Sequence, residues 1–346
     1  MQKIAEGLQL SRQTVSFVVN GKALQKGVPE RTIQRVQEYI RRCGYVPSRQ
    51  AVALRTGLRR GVGILHGGHL YSHLTDAFNQ LTNQFSDLPE GLEIMLSSRQ
   101  STVQGMRELI ARGVKKIVWI HTANSQVEIV DREVIGGLLS SVRTVIYNHH
   151  FGECDLDDWL VSRNIHLVGI NRKRGYEKLA AFIKDLGHRV VFFPDVMENS
   201  SHQLDCQFMT AFQEAGIRFV ALPASCSGYP ASLIERGIMV SGEVLKAMRD
   251  SGATAACFRD DEVAGVAMAE LIRKGIRIPD DLTVTGFDGH RLAPFFRVGL
   301  TTLLVPVAAM VQRTVGLLDD EQTGNHCHWF DPELILRESH GRMDQK

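Results

Sequence analysis

Two adjacent side chains near the start of the chain, Arg12 and Gln13, are of types that recognise nucleic-acid bases. In the major groove Gln can pair with adenine and Arg with guanine, because their hydrogen-bonding groups match the edges of those bases. They follow Ser11, a typical helix N-cap, and valines at helical spacing come after them. Both side chains are therefore predicted on the polar face of an amphipathic helix. The alternative is an ordinary solvated helix surface.

Three further polar residues, Thr14, Ser16 and Asn20, lie along the same predicted helix. Short hydroxyl and amide groups suit contacts with phosphates, which position a protein on DNA without reading its sequence. Thr14 could instead pack against the helix. Asn20 and Gly21 end this helix with turn chemistry, and Pro29 is predicted as the first residue of a third helix. Three short helices with a polar second helix are typical of a helix-turn-helix module.

Basic residues are concentrated in the same part of the chain. The sequence has 346 residues and a formal net charge of +2, but residues 1–60 hold 12 basic and 3 acidic side chains, whereas the remainder holds 28 and 35. A basic N-terminal module on a mildly acidic body indicates a head that binds a polyanion. Charge alone would fit a solvated helical face equally well.

The composition is that of a soluble globular protein of two to three domains. Hydrophobic residues make up 44% and charged residues 23%, which excludes collagen-like and disordered classes. The six cysteines are scattered without a CxxC pair, which favours free thiols in a reducing cytoplasm. We expect no membrane span, since no apolar run approaches about 18 residues. We expect no signal peptide either, since polar residues follow Met1-Gln2-Lys3-Ile4.

From residue 61 onward, apolar runs alternate with helical segments. This pattern predicts βαβ units, and hence an α/β body of doubly wound parallel sheets, with a break near residues 161–166 between two similar halves. Ligands of such sheets bind beyond the carboxyl ends of the strands, so two facing halves would form a cleft. The predicted strands are 62–66, 92–96, 116–120, 144–147, 167–170, 190–193, 219–222, 255–258 and 282–287, and the helices between them include 72–85, 102–112, 174–186, 205–215, 241–251 and 261–274.

Four residues that follow predicted strands are candidate ligand-binding groups in this cleft: Tyr71, Asn148, His202 and Asp260. Asn148 can both donate and accept hydrogen bonds. Asp260 could accept hydrogen bonds from ligand hydroxyls, cap the helix that follows it, or do both. Arg259 could add a positive charge beside it, and His202 could add a further donor.

No metal, cofactor or catalytic constellation is predicted. The 13 histidines include the group His66, His69 and His73, but no group has a complete ligand set at the spacing of a zinc site. Gly67-Gly68 follows the first strand without a GxGxxG or GKS/GKT pattern, and neither GxSxG nor a catalytic Cys/His signature occurs. We therefore expect a protein that is not an enzyme.

The chain resembles the LacI/GalR family of bacterial transcriptional repressors over essentially its whole length. Each motif is short, but all occur in order and with matching spacing. The matching segments are IA (4–5), SRQTVS (11–16), VVNG (18–21), GYVP (44–47), Ala51, LRTG (54–57), CFRDD (257–261), GIRIPDDLTVTGFD (275–288), LTTL (300–303) and ELILRES (333–339).

The resemblance implies three parts. These are a helix-turn-helix DNA-binding domain over residues 1–46, a hinge helix or linker over 47–60, and a two-lobed, periplasmic-binding-protein-like domain for effector binding and dimerisation over 61–346. Two hinges would order together in the minor groove of the operator. Leu54 has no obvious core to enter and precedes Arg55, so a wedge between base pairs is favoured over a core leucine. Ser48 is a further expected DNA contact of the hinge.

The chain departs from the family pattern at several positions. Phe17 stands where Arg is frequent, which removes a polar groove contact, and Ser48 and Val52 replace the usual Asn and Arg of the hinge. Leu204 stands where sugar-responsive members often place an effector-binding Arg, and Arg259 stands where Asn is usual. We therefore expect a polyhydroxylated ligand in a different orientation, or a more limited range, than in ordinary hexose binders.

The prediction is a cytoplasmic, homodimeric, sequence-specific transcriptional regulator, a repressor, whose two heads read the half-sites of a near-palindromic operator. A small-molecule effector, a sugar or sugar derivative, would bind between the lobes and alter DNA affinity. The alternative is a small-molecule binding protein without gene regulation. The basic head and the predicted lack of a signal peptide argue against it.

Overall fold

The computed structural model describes residues 2–19, 21–43, 61–66, 70, 72–86, 92–96, 102–121, 132–139, 141–150, 165–198, 200, 203–223, 232–320 and 327–343. The chain divides into two compact units, Met1–Arg59 and Arg60–Lys346, which we call the head and the body. No helix within the described ranges is long and apolar enough to cross a membrane.

In its described residues, 2–19 and 21–43, the head has three α-helices around a small apolar core. They are α1 (Gln2–Leu8), α2 (Arg12–Val19) and α3 (Glu30–Cys43). One buried cluster joins the three helices through Ile4, Ala5, Val15, Val18 and Val36. Each helix contributes one apolar stripe, so none of the three can bury its stripe without the other two.

The ends of the head helices follow their capping residues. The predicted N-cap of α2 is confirmed, since Ser11 Oγ accepts a hydrogen bond from Thr14 N at 2.9 Å. The predicted position of Pro29 is early by one residue. Helix α3 begins at Glu30, and the Pro29 carbonyl accepts from Ile33 N at 3.1 Å, as the residue before the first helical position does.

The body alternates strands and helices. Its elements are β1 (Val62–His66), α4 (Ser72–Ser86), β2 (Leu92–Leu96), α5 (Thr102–Ala111), β3 (Lys116–Ile120), α6 (Arg132–Leu139), β4 (Arg143–His150), β5 (His166–Ile170), α7 (Arg172–Asp185), β6 (Val190–Met197), α8 (Gln203–Glu214), β7 (Arg218–Leu222), α9 (Leu233–Ser251), β8 (Ala255–Cys257), α10 (Asp261–Arg273), β9 (Thr283–Asp288), β10 (Thr301–Leu304), α11 (Val307–Asp319), β11 (Cys327–Phe330) and β12 (Glu333–Ile335). All nine predicted strands occur, some with longer or shorter ends.

The strands form two six-stranded sheets, each at the centre of one lobe. The strand order is β11-β5-β4-β3-β1-β2 in lobe 1 and β12-β10-β9-β8-β6-β7 in lobe 2. The α/β fold with doubly wound parallel sheets is confirmed, with one exception to the parallel pairing. Strand β12 runs antiparallel to β10 at the edge of lobe 2.

Each sheet is buried on both faces. Ile64 and Leu65 are neighbours in β1 and both are fully buried, yet they belong to different apolar clusters, because successive strand side chains point to opposite faces. One cluster includes residues of both lobes, from Val118 of β3 to Phe193 of β6. The two lobes therefore share a continuous apolar core.

The chain crosses between the lobes three times: from β5 to α7, from β10 to α11, and from β11 to β12. The predicted break at 161–166 is therefore wrong. Strand β5 still belongs to lobe 1, and the first crossing comes after Ile170. Two crossings are joined by a hydrogen bond of 3.0 Å from Asn171 Nδ2 to Asp331 Oδ1. The alternation of strands and helices in the sequence does not indicate the second and third crossings.

Candidate nucleic-acid interface and inter-lobe site

The first turn of α2 presents the predicted base-reading residues to solvent. Arg12 and Gln13 are exposed, whereas the valines of the opposite face are buried. The capping hydroxyl of Ser11 also lies 2.8 Å from Thr14 Oγ1. The cap therefore fixes the turn that carries both exposed side chains.

The other predicted DNA contacts are less exposed than Arg12 and Gln13 or lie outside the described residues, as do two predicted ligand-binding residues of the body. Thr14 and Ser16 are half-buried, and the Thr14 hydroxyl already has Ser11 as a partner. Both roles predicted for Thr14, packing and a phosphate contact, stay predictions. Asn20, Ser48, Leu54, Arg55, Tyr71 and His202 lie outside the described residues, so their roles stay predictions.

His73 joins the two lobes at the carboxyl ends of their strands. Its Nε2 lies 3.2 Å from Asn148 Oδ1, and Asn148 Nδ2 donates to the His121 carbonyl at 2.9 Å, which fixes the orientation of the amide. Its Nδ1 lies 2.9 Å from Asp288 Oδ1 in lobe 2, an ion-pair distance. His73, Asn148 and Asp288 are all buried. Both partners present acceptor oxygens to the ring, one from each lobe.

The two residues that contact the His73 ring, Asn148 and Asp288, have unusual backbone conformations. Asn148 has φ +64° and Asp288 has φ +106°. Asn enters the left-handed region more readily than most residues, whereas Asp288 lies in a sparsely populated part of positive φ. Such conformations cost about 1–3 kcal/mol each and occur often at functional sites. This strain at strand ends supports the prediction that Asn148 belongs to the cleft and adds Asp288 to it.

The guanidinium of Arg259 is held by groups of lobe 2 rather than left free in the cleft. Its guanidinium pairs with Asp205 and donates from Nη2 to the Asp195 carbonyl at 2.6 Å. Its backbone N donates to Asp195 Oδ2 at 2.9 Å. Burial alone lowers the pKa of Arg259, but Tyr176, Asp205 and Asp195 outweigh it and raise the pKa. The positive charge of Arg259, which the sequence assigns to effector binding, is thus compensated by the carboxylates of Asp205 and Asp195 in the same lobe.

Asp260 is the N-cap of α10. Its Oδ1 accepts hydrogen bonds from Glu262 N at 2.8 Å and Val263 N at 3.1 Å. Burial raises the pKa of Asp260 to about 7, with Asp288 and Asp195 acting in the same direction, although the two N–H donors oppose the shift. The capping role predicted for Asp260 is confirmed, and its predicted role as an acceptor for ligand hydroxyls stays a prediction.

We expect Asp260→Asn to reduce the pH dependence of stability. The raised pKa means that the folded chain holds this proton more tightly than the unfolded chain, whose value is near 3.8. The stabilisation is therefore full below about pH 4 and is lost as the pH rises through about 7. Asn keeps the capping oxygen but does not ionise. Between about pH 5 and 8, urea unfolding should show wild type losing roughly 2 kcal/mol more than the variant. Identical losses in the two proteins would contradict the shift.

Sequence reasoning does not single out His73, Asp195, Asp205 or Asp288 as members of this site. The signal for Asp288 is present, because it directly follows the predicted strand 282–287, the same rule that selects Asn148. No comparable signal pairs Arg259 with Asp205, which lies on another helix. Within the described ranges, no group of three or more His, Cys, Asp or Glu residues is placed to hold a metal ion.

The head and the body together define a class of protein: a helix-turn-helix unit on a two-lobed body of the periplasmic-binding-protein type. A family model described as a periplasmic binding protein-like domain matches residues 173–340. The HTH-type transcriptional regulator AscG of Escherichia coli (strain K12) is 24% identical over 98% of this chain and 97% of its own length. Over nearly its whole length the chain is therefore similar to transcriptional regulators of the LacI/GalR type.

Two solved structures share this fold along nearly the whole chain. A LacI-family transcriptional regulator from Silicibacter pomeroyi superimposes with a TM-score of 0.72, at 16% identity and 99% coverage of both chains. The lac repressor dimer bound to operator and the anti-inducer ONPF superimposes with a TM-score of 0.68, at 18% identity and 98% coverage of both chains. At these identities the likeness concerns the fold.

Proposed function

We propose that this protein is a sequence-specific DNA-binding transcriptional regulator, a repressor, controlled by a small molecule that binds between the lobes of its body. The observation that carries the proposal is the exposed pair Arg12 and Gln13 on the capped first turn of α2. This pair belongs to a basic helical unit, and it is joined to a two-lobed body that is not basic. The proposal assigns no reaction to the protein and places its action in the cytoplasm, where operator DNA is found.

In this proposal α2 enters the major groove with its N-terminal turn facing the bases. Gln13 and Arg12 hydrogen-bond to base edges, while Ser11, Ser16 and Asn20 contact phosphates. The hinge residues Ser48, Leu54 and Arg55 contact the minor groove, with Leu54 as a wedge that kinks the DNA.

Two copies of the chain are needed to read two half-sites of a near-palindromic operator. Lobe 2 offers a surface for a second copy. Helix α9 exposes Ile234 and Ile238, and the short helix Ala293–Phe295 exposes Phe295 next to Leu292. The inner sides of both elements pack on one apolar cluster. Exposed apolar groups of this kind are typical of association surfaces.

The effector acts, in this proposal, by favouring one arrangement of the lobes over the other. Asn148 of lobe 1 and Asp288 of lobe 2 are buried acceptors that His73 already connects. A polyhydroxylated ligand between the lobes would donate to the same oxygens, and Tyr71 and His202 would close around it. The lac repressor structure of the same fold holds both operator and a small molecule, which supports a coupled arrangement.

Gln13→Ala tests base recognition. We expect it to cost about 1–3 kcal/mol of operator affinity and to relax the preference at one base pair of each half-site, because a pair of base-edge hydrogen bonds is lost. Gel shifts on the chain's own upstream DNA and on single-base variants measure both effects. Gln34→Ala is the matched control, since Gln34 is an exposed glutamine on α3. A loss that is equal on every DNA variant would make Gln13 a phosphate contact, and no binding above nonspecific DNA would overturn the proposed function.

A further inference from the structure

Arg172 is a buried cation at the first crossing between the lobes. It is the first residue of α7 and lies two residues after the carboxyl end of β5. Only 9% of its surface is exposed. Its guanidinium carbon lies 4.7 Å from the centre of the Phe287 ring in β9, so the side chain contacts lobe 2 at the end of a central strand.

The guanidinium has unused hydrogen-bonding capacity. Its Nε is buried and has no hydrogen-bond partner, and no carboxylate among the described residues forms an ion pair with it. Arg259 also has an unpartnered Nε, but its other two guanidinium nitrogens bind Asp205 and the Asp195 carbonyl. A buried charge without a partner is costly in free energy, and a guanidinium carries donors arranged to hold a carboxylate or a phosphate with two bonds.

The surroundings of Arg172 belong to the inter-lobe site. Strands β5 and β9 both end here, and Asp288, the residue after Phe287, is the one that reaches His73 in lobe 1. Helix α7 has 14 residues, and Asn171 caps it by accepting from Arg174 N at 3.3 Å. This cap leaves N–H groups of the first turn free for an anion, and the helix dipole favours negative charge at the same place.

We propose that Arg172 and the first turn of α7 bind an anionic group of the effector, a carboxylate or a phosphate. The inference rests on the proposed function and makes it more specific. The hydroxyls of the ligand face Asn148 and Asp288, and its acidic group faces Arg172. The effector is therefore a sugar acid or a sugar phosphate rather than a neutral sugar.

Calorimetry and thermal shifts on the full-length chain test this subsite. The probes are glucose, glucuronate, glucose 6-phosphate and inorganic phosphate, each against chloride at matched ionic strength. We expect at least one anionic probe to bind more tightly than glucose. Arg172→Met keeps the apolar stem over Phe287 and removes the charge, so it should weaken that probe about ten-fold or more, while Arg172→Lys should retain part of the affinity. Comparing glucuronate with glucose 6-phosphate separates a carboxylate from a phosphate ligand.

Arg174→Met is the control, since Arg174 lies on the same helix with an exposed side chain paired to Glu177. It should bind the probes as wild type does. Equal affinity of wild type and Arg172→Met for the anionic probe, or no anionic probe that binds more tightly than glucose, would overturn the subsite. Operator gel shifts on the same preparations keep the two proposals apart, because loss of the anion subsite leaves binding of unliganded protein to DNA unaffected.

Discussion

Removal of residues 1–60 should abolish specific operator binding and leave the body folded. The expected loss is about a thousand-fold or more, which is the usual gap between specific and nonspecific binding. Residues 1–60 carry 12 basic and 3 acidic side chains, while the remainder is net acidic. The body is a compact unit separate from Met1–Arg59, so we expect it to keep its own core.

Gel shifts and fluorescence anisotropy with the full chain and with residues 61–346 measure this loss, and circular dichroism checks that the shorter chain is folded. The full chain should also lose affinity steeply as salt rises, because binding releases counterions from the phosphates. Operator binding by residues 61–346 with the affinity of the whole chain would contradict the assignment of DNA binding to the head.

Arg259→Met should destabilise the body by about 3–5 kcal/mol, the range seen when one partner of a buried ion pair is removed. The change leaves Asp205, which is buried, without its guanidinium partner, and it removes the donor to the Asp195 carbonyl. Partial exposure of the Arg259 side chain places the expected value at the lower end of that range.

Urea unfolding of wild type and Arg259→Met measures the effect. Arg277→Met is the control, because Arg277 also forms ion pairs, with Asp280 and Asp281, but at an exposed position, where solvent screens the charges and the loss of a pair has little effect on stability. If Arg259→Met unfolds like wild type and instead loses effector affinity, then Arg259 is a ligand group, as the sequence first suggests, and the pairing with Asp205 is not stabilising.

Local patterns account for the elements that could be predicted. Strands β1, β2 and β3 begin and end at the predicted residues, because short apolar runs bounded by turns fit buried parallel strands. The Ser11 cap was equally readable, since an N-cap acts on the turn that follows it. In both, the information lies within about ten residues of the chain.

Elements defined by distant partners were harder to predict. Strand β12 has three residues and exists through its antiparallel pairing with β10. Helix α9 starts at Leu233, eight residues before its predicted start, where Ser232 caps it by accepting from Glu235 N. The crossings between the lobes were hard to predict for the same reason, because the sequence pattern of a strand does not indicate which sheet the strand joins.

The same distinction between local patterns and distant partners applies to the residues of the inter-lobe site. Asn148 was predictable as a polar residue at a strand end. The contact of His73 with Asp288, by contrast, depends on how two lobes face each other, which no local pattern records. The sequence assigns Arg259 to the cleft because it lies beside Asp260. Its ion-pair partner, Asp205, belongs to α8 and is distant in the sequence.

The three crossings between the lobes form a hinge with one bending axis rather than a freely rotating connection. Strands β10 and β12 are paired, so the second and third connections leave lobe 2 side by side. The first and third are fastened to each other through Asn171 and Asp331, and Lys178 Nζ donates to the Pro332 carbonyl at 3.0 Å. Several connections in a row permit bending about one line and resist twisting. In the proposed function, a ligand would therefore change the angle between the lobes, and substitutions along this line would alter the response without changing either binding surface.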